Sequence, residues 1–436
     1  MTLSTQPYKG ARDFYPEDQR LQNYIVNTWS KVLERFGYEA YNAPLLENME
    51  IFKAKSGEEI VSEQTYTFTD RGGREVVIRP EMTPSVSRMV AAKRQELAYP
   101  LRWYCAPNFW RYERAQRGRL REFWQLNADL FGVAGLEGEH EMILIVDAIL
   151  KEFGAKRSMY QININNRELM DVIMSDYLGL DATQSYTLSK LIDRMNKMPR
   201  PQFVADADAM LTPTQKENGT SEKLLDILEA KKLSDLPDSV RECKPAKDLE
   251  TLLALLEDSG VLNAVFDISV MRGFDYYTGI VFELSDTNPE NNRAMMGGGR
   301  YNGLVGLFGA EPIPTIGFGW GDVTMINFLE SHELLPKFES ETEVYAILVG
   351  DVYPQAQKLL STLREEGLTV AVDSSDRKVG AKVKNALKKN IRYALFVGEN
   401  ELAEGRFNLK DLQTETEQTL SPERIVSTVL DQRAAR

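Results

Sequence analysis

FWRYERAQRGRLREFWQLNADLFG, residues 109 to 132, reads as two strands around a charged loop. In the second strand, period-2 alternation puts Arg121, Phe123, Gln125, Asn127 and Asp129 on one face and Leu120, Trp124, Leu126, Ala128 and Leu130 on the other. The apolar face belongs to a core and the polar face to a site. On the first strand the same rule aligns Phe109, Arg111 and Glu113, and the loop between holds Arg114, Gln116, Arg117, Gly118 and Arg119, too basic to bury. A polar strand face with arginines, a carboxylate, an amide and an aromatic ring suits an anionic ligand that carries a planar ring. Guanidinium forks grip phosphate, and Phe123 can stack on a base. The same pattern also fits a solvated hairpin with a surface ion-pair ladder.

Outward from this hairpin, the chain of 436 residues is long enough for two or three domains, and 43% hydrophobic with 27% charged residues is ordinary for a globular protein. Cys105 and Cys243 cannot build a disulfide framework, and with only His140 and His332 besides, no Cys/His metal cluster is expected. A reducing, cytoplasmic setting follows as an expectation, with neither an export signal nor a membrane span read in the sequence. A net charge of -13 excludes a general nucleic-acid coat protein, so any nucleic-acid partner must meet local basic patches.

Residues 19 to 38 repeat apolar side chains at Leu21, Ile25, Trp29, Leu33 and Phe36, a helical period ended by Gly37. EAYNAPLLE, 39 to 47, is extended, and Pro44 places it at a sheet edge or a subunit contact. Residues 65 to 91 give strand, Gly-Gly turn, strand, then a helix from about Pro84, with Arg79, Glu81 and Thr83 at the junction. A mostly apolar helix, 140 to 154, and a strand, 160 to 165, precede a helix-patterned acidic stretch from about 167 to 262, interrupted by prolines and read as an inserted helical domain. Strand patterning returns at 266 to 284, where Arg272, Asp275, Tyr276 and Tyr277 crowd between apolar segments. Gly297-Gly298-Gly299 then allows close backbone approach before Arg300 and Tyr301, and PTIGFGWG, 314 to 321, is a second glycine-rich strand leading into a helix.

After a polar linker at 336 to 342, alternating strands and helices predict a small α/β domain with a mostly parallel sheet. Between 376 and 392 it carries Arg377, Lys378, Lys382, Lys384, Lys388, Lys389 and Arg392 against one acid, a local polyanion site or a basic helix surface.

Six stretches now stand in order: KGARD (9 to 13), the segment ending at Pro44, YTFTDRGGREVVIRPEMT (66 to 83), FWRYERAQRGRLREFWQ (109 to 125), RGFDYYTGIVFE (272 to 283) and GGGRYNGLV (297 to 305). With them the chain resembles, over essentially its whole length, the histidyl-tRNA synthetase family of class II aminoacyl-tRNA synthetases. The resemblance implies an α+β fold: an antiparallel six-stranded catalytic sheet flanked by helices (1 to 166 and 263 to 335), a helical insertion (167 to 262) and a C-terminal α/β anticodon-binding domain (343 to 436). It also implies a homodimer, with L-histidine, ATP, Mg2+ and the tRNA for histidine as partners, and no metal held by cysteine or histidine.

Carried over onto this chain, the resemblance implies a histidine site of Glu81, Thr83, Gln125, Asp129, Tyr277 and Tyr301, completed by Arg111, Arg272 and Tyr276. ATP is expected at Arg111, Glu113, Arg119, Arg121 and Phe123, with Arg111 and Arg272 as the catalytic pair on the α-phosphate. Arg377, Lys378, Lys382, Lys388 and Lys389 are the expected tRNA contacts. Three departures stand out: Asn302 where Asp is commonest, Trp124 where His or Tyr is common, and Thr324 where motif 3 usually carries an arginine for the γ-phosphate. The last keeps a rival expectation open, a histidine-sensing regulatory subunit such as that of ATP phosphoribosyltransferase.

Overall fold

The computed structural model describes residues 3–53, 64–195, 198–271 and 276–434. The chain forms two compact units, Met1–Leu335 and Pro336–Arg436, and the break falls at the start of the polar linker.

The strands of the first unit, in chain order, are β1 Glu39–Ala40, β2 Leu46–Asn48, β3 Tyr66–Thr69, β4 Glu75–Ile78, β5 Leu101–Cys105, β6 Asn108–Trp110, β7 Glu122–Phe131, β8 Tyr160–Asn166, β9 Ala264–Phe266, β10 Ile280–Asp286, β11 Ala294–Arg300 and β12 Thr315–Gly321. Six of them, in the order β5-β7-β12-β11-β10-β8, pair antiparallel throughout and form the expected six-stranded sheet. The sheet is longer than expected, because β1 and β9 add parallel at its two edges and β6 pairs with β7. Strands β2, β4 and β3 form a separate small sheet.

An antiparallel sheet needs only one covered face, and the covered one here is the apolar face of β7. Leu126, Ala128 and Leu130 join Ile162, Ile164 and Leu284 in the main core, under the helices Pro16–Arg35 and Glu137–Glu152. The first of these helices buries Ile25, Trp29, Val32 and Leu33, as its spacing predicts, and ends with Gly37 at φ 78°, a left-handed stop that favours glycine. It begins at Pro16 rather than Gln19, since proline is well suited to a first helical turn. Removing a fully buried side chain such as Trp29 would cost about 3–5 kcal/mol.

Between 167 and 262 the regular elements among the described residues are helices, with Pro201, Pro213 and Pro245 in first turns rather than interrupting helices. These helices share one continuous core with the sheet: Phe203, Leu224 and Leu249 belong to the same buried cluster as Leu126.

In the second unit the strands are β13 Val344–Leu348, β14 Val370–Asp373, β15 Tyr393–Val397, β16 Phe407–Asp411 and β17 Glu417–Leu420, in the order β14-β13-β15-β16-β17. The expected mostly parallel sheet is corrected to a mixed one, because β16 and β17 run antiparallel. The connection from Val397 to Phe407 is shorter than the dozen or so residues that a parallel crossover requires.

Candidate active site

The polar face of β7 is the floor of a cavity of about 350 Å³, within the range of small-molecule sites. Phe123, Gln125, Asn127 and Asp129 line it, as period 2 requires. The space exists because the neighbouring strand withholds side chains. Gly317 pairs with Asp129, and a Cβ on Gly317 would collide with Asp129 Oδ1, while one on Gly319 would collide with Gln125 Nε2. Eleven candidate residues meet there: Glu81, Thr83, Arg111, Glu113, Arg119, Phe123, Gln125, Asp129, Tyr276, Tyr277 and Tyr301.

One part of the cavity is a cluster of buried phenols around a carboxylate. Tyr301 donates its hydroxyl to Asp129 Oδ1, and Tyr41 donates to Oδ2 at 3.3 Å. Burial pushes the Asp129 carboxyl up to about 7 although both phenols favour its charged form. The Tyr276 hydroxyl donates to Glu81 Oε2 (3.1 Å) and lies 3.4 Å from Thr83 Oγ1, whose hydroxyl can donate to it, and the rings of Tyr276, Tyr277 and Tyr301 lie edge to face with centroids 5.0–6.4 Å apart. Burial raises all three phenols, so they stay protonated and able to donate at neutral pH. Gln125 is oriented by its amide, which donates to Asn127 Oδ1 (2.6 Å). Such a pocket suits a small ring bearing one N–H and one acceptor nitrogen.

Elsewhere in the wall, Arg111 donates from Nε to Pro80 O (2.9 Å) and lays its guanidinium 5.3 Å from the Phe123 centroid. Glu113 is buried and ion-paired to Arg119. Arg121 is a correction: it does not line the cavity. Its guanidinium lies 4.0 Å from the Tyr112 centroid and bonds Glu113 O and the Tyr8 hydroxyl, so the N-terminal segment holds it away. Arg272 lies outside the described residues, as does Asp275. Arg79 is likewise not a ligand group, since it is buried and donates to Asn108 O (3.0 Å) and Ala43 O (2.7 Å), which pins the Pro44 segment.

Glu283, half-buried in the cavity wall, was missed as a site residue. The signal was available: a carboxylate inside the otherwise apolar IVFEL of β10, opposite Gly297. Two ion pairs, one buried and one partly buried, brace the site. Arg300 grips Glu139 through Nε (2.5 Å) and Nη2 (2.6 Å) and also donates to Val133 O and Gly135 O, fixing the strand that presents Tyr301. Asp322, at the point where motif 3 departs from its usual form, accepts from Arg12 Nη2 (2.6 Å) and the Trp124 backbone N–H (3.0 Å), tying the KGARD segment to the sheet. Asn302 accepts from the Thr315 backbone N–H (3.0 Å), so its departure is filled by a structural bond.

In the second unit, Arg377, Lys378, Lys388 and Lys389 are exposed. Lys382 is a correction. It is buried and donates to Leu348 O (2.9 Å) and Asp373 O (3.1 Å), because the helix Val379–Lys388 turns it inward on the same face as Ala386.

The family described as Histidyl-tRNA synthetase matches residues 10–321, and an Anticodon binding domain matches residues 343–432. The chain belongs to the histidyl-tRNA synthetase family. A histidine--tRNA ligase of Leptospira biflexa is 42% identical over 427 residues, 96% of each chain, and one of Thermoplasma volcanium is 36% identical over 94% of this chain and 95% of the relative. Among solved structures, histidyl-tRNA synthetase from Nostoc sp. PCC 7120 superposes with a TM-score of 0.81 at 22% identity, covering 99% of this chain and 100% of that one. An ATP phosphoribosyltransferase regulatory subunit/histidyl-tRNA synthetase from Bacillus halodurans C superposes at 0.74 and 22%, over 91% and 99%. At that identity the superpositions speak for the fold alone. The full-length matches to ligases favour membership as an ATP-dependent aminoacyl-tRNA ligase over the regulatory subunit.

Proposed function

We propose that this histidyl-tRNA synthetase family member activates L-histidine with ATP in the cavity above β7 and passes it to the 3′ end of its tRNA. The observation that carries the reading is the division of one cavity into a buried carboxylate ringed by phenols and an arginine laid over an aromatic ring. In this reading histidine's imidazole donates its N–H to Asp129 and pairs its other nitrogen with a phenol, that of Tyr277, while Glu81, Thr83 and Gln125 take the α-amino group. Rejection of apolar side chains follows, since they would leave buried polar groups unpaired.

In the first step a carboxylate oxygen of histidine attacks the α-phosphorus, and the bond from that phosphorus to the bridging oxygen breaks, releasing pyrophosphate. Phe123 offers its ring to adenine, and Arg111 offers a guanidinium to the charge that grows on the α-phosphate. Arg272 takes the same role in this reading on the strength of the RGFDYYTG motif. In the second step a ribose hydroxyl of the tRNA terminus attacks the carbonyl and AMP departs. Mg2+, when bound, neutralises pyrophosphate charge. In this reading the ion is carried mainly by phosphates, with Glu283 as one of the carboxylates that line the cavity.

We read residues 1–166 with 263–335 as the catalytic domain, 167–262 as its insertion and 343–436 as the anticodon-binding domain, whose exposed Arg377, Lys378, Lys388 and Lys389 meet tRNA phosphates. A homodimer is supported by exposed Leu45, Leu46 and Phe68 around the small sheet. A cytoplasmic setting is supported by two free cysteines; among the described residues no helix is long and apolar enough to cross a membrane. The test is ATP-dependent attachment of labelled histidine to tRNA by the purified chain. Absence of charged product from a folded chain supplied with ATP, Mg2+ and tRNA would sink the proposal.

A further inference from the structure

We infer that Arg293, from the segment just ahead of β11, supplies at the ATP tail the positive charge that Thr324 cannot. This rests on the proposed ATP-dependent reaction in the main cavity. Thr324 stands in the first turn of the helix Asp322–Ser331 and folds its hydroxyl back onto Met295 O (2.8 Å) and Gly321 O (3.0 Å), which leaves a methyl toward the cavity. Arg293 occupies the neighbouring space. A Cβ built on Gly118 of the motif 2 loop would stand 3.2 Å from Arg293 Cδ, 3.7 Å from Thr324 Cγ2 and 3.8 Å from Asn327 Nδ2, so the arginine stem and the Thr324 methyl close on one point. Gly118 itself has φ 74°, and any side chain there is strained as well as crowded.

Beside that point is a second, small cavity of about 30 Å³, walled by Arg117, Arg293, Asn291 and Asn327. It shares Gly118, Met295 and Thr324 with the main cavity, so the two spaces adjoin. Its acid among the described residues is Glu290, which is exposed. The arginine-bearing segment is held in place. Asn291 donates to Asp286 Oδ2 (2.7 Å) and Ser331 Oγ (2.9 Å), and its Oδ1 accepts from Arg117 Nε (3.2 Å) and Nη2 (3.0 Å). Asp286 is in turn bonded to His332 Nε2 at 2.7 Å. Two arginines from different segments are thereby brought to one small polar space at the mouth of the loop, the arrangement in which guanidinium forks take terminal phosphate oxygens. Of the other loop arginines, Arg119 is ion-paired to Glu113 in the main cavity wall, and Arg121 is held by Tyr112 and Tyr8.

The experiment compares the full-length wild type with Arg293→Ala, Thr324→Arg and the double variant. It reads the KM for ATP in histidine-dependent pyrophosphate exchange, together with binding of ATP and of a histidyl-sulfamoyl-adenosine analogue that lacks the β- and γ-phosphates. Loss of one charge-assisted phosphate contact raises the ATP KM of Arg293→Ala about 10- to 100-fold. Affinity for the analogue and the KM for histidine stay at wild-type values, and Thr324→Arg returns most of the lost ATP affinity to the Arg293→Ala background. Unchanged ATP binding in Arg293→Ala, an equal loss for the analogue, or no rescue by Thr324→Arg would each overturn the inference. A wild type without exchange would instead defeat the functional reading, and the direct ATP titrations would still decide the role of Arg293.

Discussion

Replacing Asp129 by asparagine should make the protein more stable and worse at holding histidine. The carboxyl is fully buried, and Tyr301 and Tyr41 are its hydrogen-bonding partners. Burial moves its titration from the ordinary 3.8 to about 7, which amounts to about three decades at about 1.4 kcal/mol each, on the order of 4 kcal/mol held against folding at high pH. The sign follows from proton counts. Between about pH 4 and 7 the folded wild type keeps a proton that the unfolded chain has released, so its stability falls as pH rises, and above 7 the cost is constant. Asparagine has the same shape, can still accept from Tyr301 and titrates nowhere in this range. The advantage of Asp129→Asn in melting of the ligand-free protein should therefore be near zero at about pH 4, grow up to about pH 7 and then level off. Histidine binding should weaken by about 1–3 kcal/mol, because the charge-assisted acceptor for the imidazole N–H is gone. A stability difference that does not change between pH 4.5 and 8, or an asparagine variant with wild-type histidine affinity, would refute this account of the pocket.

Arg111→Ala should lower pyrophosphate exchange by about 100-fold or more, whereas Arg121→Ala, whose guanidinium is stacked on Tyr112, should change the ATP KM only a few-fold; steady-state kinetics of both variants checks the contrast. Glu139→Gln strands the Arg300 guanidinium in the interior and should cost about 3–5 kcal/mol in denaturant unfolding of the catalytic unit. In the second unit, Lys388→Glu with Lys389→Glu should flatten the dependence of tRNA binding on salt concentration. Lys382→Ala should lower that unit's melting temperature instead, since it removes donors from buried Leu348 and Asp373 carbonyls.

The face of β7 was legible because an antiparallel sheet with one buried side enforces strict alternation over Phe123 to Leu130, where a one-residue slip would expose the core. Arg121 falls just before that strand begins at Glu122, and its backbone N–H goes to Gly10 O (2.9 Å), so the face rule ends one residue too early for it. Lys382 could have been read differently from sequence, since position 382 shares a helical face with Ala386. The strand Glu417–Leu420 carried no apolar pattern because it is an exposed edge, where polar residues discourage further pairing. Nothing in the sequence around Arg293 marks it. Its place depends on the loop carrying Gly118 and the helix carrying Thr324 arriving at one point, a tertiary fact that no local period encodes.

The central claim, that one cavity joins ATP to histidine, is tested most directly by exchange of labelled pyrophosphate into ATP by the purified full-length chain, with and without each amino acid. The account predicts exchange that requires histidine and Mg2+ and is absent with every other amino acid. No exchange by a folded protein that still binds histidine, or exchange that proceeds equally without it, would contradict it.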